Sequence, residues 1–231
     1  MERMFRSIHT WPKYVGNVVD QMVVIGAHSI PIVMLTAWFS GMVTAVQSSY
    51  QFSSWIPTWW VGSVVGESIL LELAPMITGL VLTGRVGATI AAELGTMKVT
   101  EQIDALESLS FDPVAFLVMP RILAGTLMFP ILVITADFFG IYGGFISANI
   151  QMDVTGFEFI KGFKTWFRPW DAWFGLIKAV AFGFAITSIA CYQGFFTRHG
   201  AQGVGRATTL TVVVSCVAIV VLDYILGALF L

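Results

Sequence analysis

The chain has 231 residues, a net charge of -2, 57% hydrophobic residues and only 11% charged ones. A typical soluble domain is about 25% charged, so this composition, with a mean hydropathy of +0.83, excludes a soluble enzyme. The absence of any Lys/Arg block excludes nucleic acid as a partner. What remains is one all-α integral membrane domain.

Residues 1–21 set Met4, Ile8 and Trp11 at helical spacing among Arg3, Arg6 and Lys13, and lack the continuous apolar core of a cleaved signal peptide. They predict an N-terminal helix lying in the membrane interface, ahead of a transmembrane domain over residues 22–231. A first span is expected from Met22 to Ser49, because about 20 apolar residues cross a hydrocarbon core roughly 30 Å thick. Tyr50 to Trp60, with Trp55, Pro57 and Trp59, reads as a turn at headgroup level. A second run, Val61 to Leu94, is longer than one crossing needs and must tilt or continue into water.

The polar stretch GTMKVTEQIDALES, residues 95–108, follows. Read as one helix it puts Val99, Ile103 and Leu106 on one stripe and Lys98, Glu101, Asp104 and Glu107 around the rest, so it is amphipathic. It is too short and too polar to span. Asp112-Pro113 then supplies a capping carboxylate and a proline suited to a helix start. The third span is expected from Val114 to about Asn149, with a bend or a juxtamembrane first section at Pro120 and Pro130.

Residues 150–172 read as a loop, Trp173 to Phe196 as the fourth span, Thr197 to Arg206 as a Gly-rich polar loop and Ala207 to Leu231 as the fifth span. Five spans put the termini on opposite sides. The side that receives Arg3, Arg6, Lys13, Lys98, Arg198 and Arg206 is then cytoplasmic by the positive-inside rule, against Lys161, Lys164 and Arg168 on the other.

Ionisable residues within spans are costly and mark function or structural pairing. The candidates are Glu67, Glu72, Arg85, Glu93, Asp137 and Asp223, with Arg85 read as the partner of Glu93, Asp223 or another acid. In the first span, Thr44, Gln47, Ser48 and Gln51 form a helical stripe followed by Phe52 and Trp55. It faces either a cavity or a neighbouring helix. The chain has no GxxxxGK[ST] phosphate loop, and its three histidines lack metal-ligand spacing. Cys191 and Cys216 sit in apolar runs and read as small buried hydrophobes. Neither a catalytic constellation nor a metal site is legible.

The run ELAPMITGLVLTGRVGATIAAELGTMKVTEQIDALES, residues 72–108, resembles the MlaE (YrbE) permease family, membrane subunits of ABC transporters that move phospholipids or other hydrophobic molecules with MCE-domain proteins. MPRILAG (119–125), GVGRATTLTVVVS (203–215) and Asp223 extend the resemblance over about residues 35–230. Members often carry Arg before the glutamate of this run and Gly two residues after it; here Leu71 and Ala74 stand there, which removes a cation suited to a lipid phosphate.

The resemblance implies that Gly95, Thr96, Met97, Lys98, Thr100, Glu101, Gln102, Asp104 and Glu107 form a coupling helix seated in a groove of a cytoplasmic ATPase, with Glu101 and Asp104 foremost. It implies a lipid cavity lined by Thr44, Gln47, Ser48, Phe52, Trp55, Leu71 and Leu73, beside the intramembrane charges Glu72, Arg85, Glu93 and Asp223. The implied partners are two ATPase copies carrying ATP and Mg, an MCE-domain protein on the opposite face, a small regulatory subunit on the ATPase, a second copy of this chain, and phospholipid. No cofactor is expected on the chain itself. The implied location is a bacterial inner membrane, with the N-terminus cytoplasmic and the C-terminus opposite. Two rival readings stay open: an ion-coupled secondary carrier, and a membrane scaffold that moves nothing.

Overall fold

A computed structural model describes residues 15–52 and 57–230. Among these residues the only regular structure is helical. Five helical stretches are long and apolar enough to cross a membrane: Gly16–Gln51, Trp60–Val99, Val114–Met152, Pro169–Phe195 and Gly200–Phe230. Residues 1–14 of the expected interfacial segment, with Met4, Ile8 and Trp11, lie outside the described residues, as does Trp55.

The first stretch begins earlier than the hydropathy run. Helix α1 (Val15–Ile25) takes in residues 15–21, a single 3-10 turn follows at Ala27–Ser29, and α2 covers Ile30–Gln51. Pro31 opens α2; it has no N–H to return to the carbonyl four residues back, which breaks the helix there.

The second stretch comprises α3 (Trp60–Ser68), α4 (Ala74–Leu82) and α5 (Ala88–Val99), joined by π turns at Ile69–Leu73 and Thr83–Gly87. At about 1.5 Å per residue, its 40 residues reach well beyond the apolar layer. The expected single amphipathic helix over 95–108 is broken: Glu101 is left-handed at φ 61°, so α5 ends at Val99 and α6 runs Gln102–Ser108. The proposed stripe divides accordingly. Ile103 is buried and Leu106 packs against the core, while Val99 is exposed.

The third stretch opens with a π turn at Val114–Val118 and continues as α7 (Met119–Met152) through Pro130. The expected loop over 150–172 contains a helix, α8 (Gly156–Trp166), started by a capping box. Thr155 N–H donates to Glu158 Oε2 at 2.9 Å, and Glu158 N–H donates to Thr155 Oγ at 3.4 Å. The signal was present as T-x-x-E. The fourth span, α9, covers Pro169–Phe195, and α10 covers Gly200–Phe230. The polar loop expected to reach Arg206 therefore shrinks to four residues, because His199 and Gly200 (φ 69° and 64°) reverse the chain in the left-handed region.

The core lies where α7 and α9 meet the second stretch; Phe129, Leu132, Phe182, Ile186, Leu82 and Leu94 are fully buried there. Close approach rests on glycine: a Cβ on Gly41 would stand 1.8 Å from the Gly140 carbonyl oxygen, so α2 and α7 touch backbone to backbone. In α10 only 11% of the most apolar window is buried, against 56% in the third and fourth stretches, so α10 stands at the bundle edge. One end of the bundle carries the Glu101 elbow, where Gly95 meets Thr197 and Val204. The other carries α8 and the contact of Trp170 with Phe230, ring centroids 6.5 Å apart.

Candidate functional site

A cavity of about 850 Å³ opens between α2 and the first π turn of the second stretch. Leu35, Phe39, Val43, Leu73 and Ile77 give it apolar walls, and Thr44, Gln47 and Glu72 place polar groups among them. Thr44, Gln47 and Leu73 are thus on its surface. Ser48 is buried instead, donating to the Thr44 carbonyl at 2.7 Å. Phe52 packs partly buried on the core, and neither Phe52 nor Leu71 lines the cavity.

The turn that holds Glu72 is shaped by Pro75. In a π turn each N–H reaches five residues back, and here Ala74 N–H bonds the Ile69 carbonyl. Pro75 has no N–H to continue the ladder, which frees carbonyls at Leu70 and Leu71. The fourth span uses both. Lys178 Nζ donates to the Leu71 carbonyl at 3.1 Å, and Gly175 packs so close to the Leu70 carbonyl that a Cβ there would lie 2.6 Å from its oxygen.

Lys178 is 1% exposed, and an unpaired ammonium at that depth would cost several kcal/mol. It is compensated by two acids. Nζ donates to Glu72 Oε2 at 2.7 Å and lies 2.7 Å from Asp223 Oδ1, an ion pair off the hydrogen-bond direction. The Phe174 ring centroid is 4.8 Å from Nζ. One cation thus ties the second, fourth and fifth spans together. Glu72 is 46% exposed, so the carboxylate facing the cavity is backed by a buried counter-charge.

Lys178 was not among the ionisable residues singled out in the sequence. Its signal is a lone lysine within the apolar GLIKAVAFGF of the fourth span, and one of its two partners, Asp223, is an acid that the sequence offers to Arg85. That assignment is corrected by geometry. Arg85 donates to Ser29 Oγ and forms no ion pair among the described residues, and so it holds the second π turn against the 3-10 turn of the first stretch. Glu93 pairs instead with buried Arg121, Nη2 to Oε2 2.9 Å, while Arg121 Nη1 donates to the Leu117 carbonyl at 2.9 Å. Glu67 enters no ion pair among the described residues, and Asp137 Oδ1 is buried without a hydrogen-bond partner there.

At the elbow, Gly95 is buried, Met97 and Lys98 are half-buried, and Thr96, Thr100, Glu101, Gln102, Asp104 and Glu107 are exposed. Lys98 Nζ meets Asp104 Oδ1 at 2.6 Å across the break. Leu109 and Phe111, which sequence reasoning passed over, expose apolar surface beside these acids. The elbow therefore presents a mixed acidic and apolar knob at the bundle end, seated by buried Gly95 and Ile103.

Comparison with known proteins gives this architecture its place. The family model described as Permease MlaE matches residues 18–229. A probable ABC transporter permease protein of Rickettsia prowazekii is 42% identical over 224 residues, 97% of this chain and 86% of that protein. The chloroplastic protein TRIGALACTOSYLDIACYLGLYCEROL 1 of Arabidopsis thaliana is 36% identical over 93% of this chain and 61% of its own length. The intermembrane phospholipid transport system permease protein MlaE of Haemophilus influenzae is 34% identical over 94% of this chain and 84% of that protein. With the family model spanning all five apolar stretches, the chain belongs to the MlaE permease family.

Proposed function

We propose that this chain is the membrane subunit of an ABC transporter that moves phospholipid or a related lipid between membranes, energised by a separate cytoplasmic ATPase. The observation that carries this reading is the cavity of about 850 Å³ between the first and second stretches, apolar enough for acyl chains and with Glu72 at its wall. Lipid enters it laterally from the bilayer. The Haemophilus relative's name, which specifies intermembrane phospholipid transport, supports the cargo class.

Residues 95–108 dock the ATPase, with Glu101 and Asp104 as the charged contacts, and Leu109 and Phe111 just beyond them add apolar ones. Movement of the ATPase passes through α5 to the π turn at Glu72, which makes the cavity wall responsive to nucleotide. Two such chains pair as a homodimer, since an ABC ATPase works as two subunits and one elbow serves one of them. ATP and Mg belong to that ATPase, an MCE-domain protein and a small regulatory subunit complete the assembly, and the elbow faces the cytoplasm of a bacterial inner membrane.

The test is extraction of the tagged chain with its partners, reconstitution into vesicles, and measurement of fluorescent phospholipid transfer with ATP and with a non-hydrolysable analogue. ATP-dependent transfer that is lost when Gln47→Trp fills the cavity is the expected result. Transfer driven by a proton gradient with no ATPase present would instead favour the carrier reading, and no transfer under either condition the scaffold.

A further inference from the structure

A second cavity, of about 460 Å³, lies at the elbow end between the last turn of α9 and the start of α10. It shares no lining residue with the cavity between the first and second stretches. Arg198, His199 and Arg206 line it with Gln193 and Gln202, and no Asp or Glu does. Among the described residues neither guanidinium has an ion-pair or side-chain hydrogen-bond partner. Arg85, Lys98, Arg121 and Lys178 all have such partners. The concave site thus concentrates positive charge that no described residue neutralises.

The backbone fixes where these charges stand. A Cβ on Gly203 would lie 1.6 Å from the Arg198 carbonyl oxygen, so the turn is clamped on the first residues of α10 and Arg198 is held at one lip. Arg206 rises from α10 at the other. Its outer rim carries apolar surface: Phe196 is 60% and Leu210 39% exposed. A cationic hollow with an apolar outer rim, at the end of spanning helices, matches an amphipathic anion rather than a fully water-soluble one.

We infer that this cavity binds the phosphate of an anionic phospholipid from the leaflet on the elbow side. Arg198 and Arg206 donate to its phosphate oxygens, for which the guanidinium fork is suited, and Phe196 and Leu210 receive the start of its acyl region. The site is separate from the proposed cargo cavity and does not depend on the transport reading; it requires only that the helices span a bilayer.

The full chain, purified in a neutral detergent, is titrated with phosphatidylglycerol or phosphatidylcholine and bound lipid is counted by native mass spectrometry. Phosphatidylglycerol should be retained in preference to phosphatidylcholine. Arg198→Gln with Arg206→Gln should weaken that retention by about tenfold, Arg206→Lys by less, and Lys98→Gln, a cation at the same end outside the cavity, should leave it unchanged. Equal retention by wild type and the double variant, or equal loss in Lys98→Gln, overturns the site. Glycerol 3-phosphate added as competitor separates the sources: failure to displace phosphatidylglycerol supports the lipid, and full displacement overturns the lipid assignment in favour of a soluble phosphate.

Discussion

Lys178 Nζ stands 2.7 Å from Glu72 Oε2, joining the fourth span to a π turn in the second. The lysine is 1% exposed and is shared with Asp223, so removing it strands the 12% exposed Asp223 inside the bundle and leaves Glu72 unpaired at the cavity wall. Lys178→Met is expected to destabilise the fold by about 3 kcal/mol or more, measured as unfolding in mixed detergent and dodecyl sulfate. Combining it with Glu72→Gln and Asp223→Asn should recover most of that loss. A single variant as stable as wild type would remove the counter-charge role.

Backbone contact between α2 and α7 makes a second prediction. Gly41→Ala must push a Cβ into the Gly140 carbonyl, 1.8 Å away, and should cost about 2 kcal/mol by forced separation of the helices. Gly227→Ala, with nothing within 4 Å of the added Cβ, should stabilise α10 by up to about 1 kcal/mol. The same unfolding assay reads both, and equal effects would mean that the close approach is not what stabilises the pair.

The elbow allows charge to be separated from strain. Glu101 is held at φ 61°, and Arg bears the same left-handed strain as Glu, so Glu101→Arg changes the charge alone. Asp104→Arg also breaks the exposed pair with Lys98, worth about 0–1 kcal/mol. The double variant should keep wild-type unfolding behaviour and lose ATP-dependent lipid transfer. Transfer at the wild-type rate would rule out these acids as the ATPase contact.

A pH effect is expected at the start of α8. The Thr155 N–H and hydroxyl, both donating to Glu158, hold its carboxyl below the ordinary value of 4.5. A depressed folded-state pKa contributes stability above the unfolded value and loses it as pH falls through the folded one. Hydrogen exchange at residues 156–160 should therefore lose protection below about pH 4.5, relative to Glu158→Gln at the same pH. Glutamine keeps an oxygen to cap Thr155 but does not titrate, so parallel behaviour of the two proteins would show that the carboxylate is not the cause.

Much of the architecture was legible because apolar runs of this length have one solution in a bilayer. Five spans, the overlong second one and the exposed acids after it all follow from hydropathy and charge. The family resemblance was legible in residues 72–108. The two misread cations share a cause: each has a role that depends on another helical segment. Lys178 resembles a stray charge until the carbonyl freed by Pro75 and the two acids surround it. Arg85 resembles the partner of an acid until the 3-10 turn brings Ser29 to it. The helix break at Glu101 and the tight turn at His199 depend on single φ angles that side-chain periodicity does not register. By contrast the capping box of α8 was written locally, as Thr155 and Glu158, within a segment read as a loop.

The two π turns of the second stretch also set its phase. Each holds one residue more than an α-helix would use, and one residue turns a helix by about 100°. Glu72 lies in the first turn and Arg85 in the second, while Glu93 and the elbow lie downstream of both. If the turn at Ile69–Leu73 relaxed to α geometry with all its residues kept, everything beyond it would swing by about a quarter-turn, taking Arg85 off Ser29 and Glu93 off Arg121, whereas deleting one residue there would remove the bulge and leave that phase unchanged. The aim of the elbow is thus set some thirty residues upstream, by the geometry of one turn rather than by any contact the elbow makes.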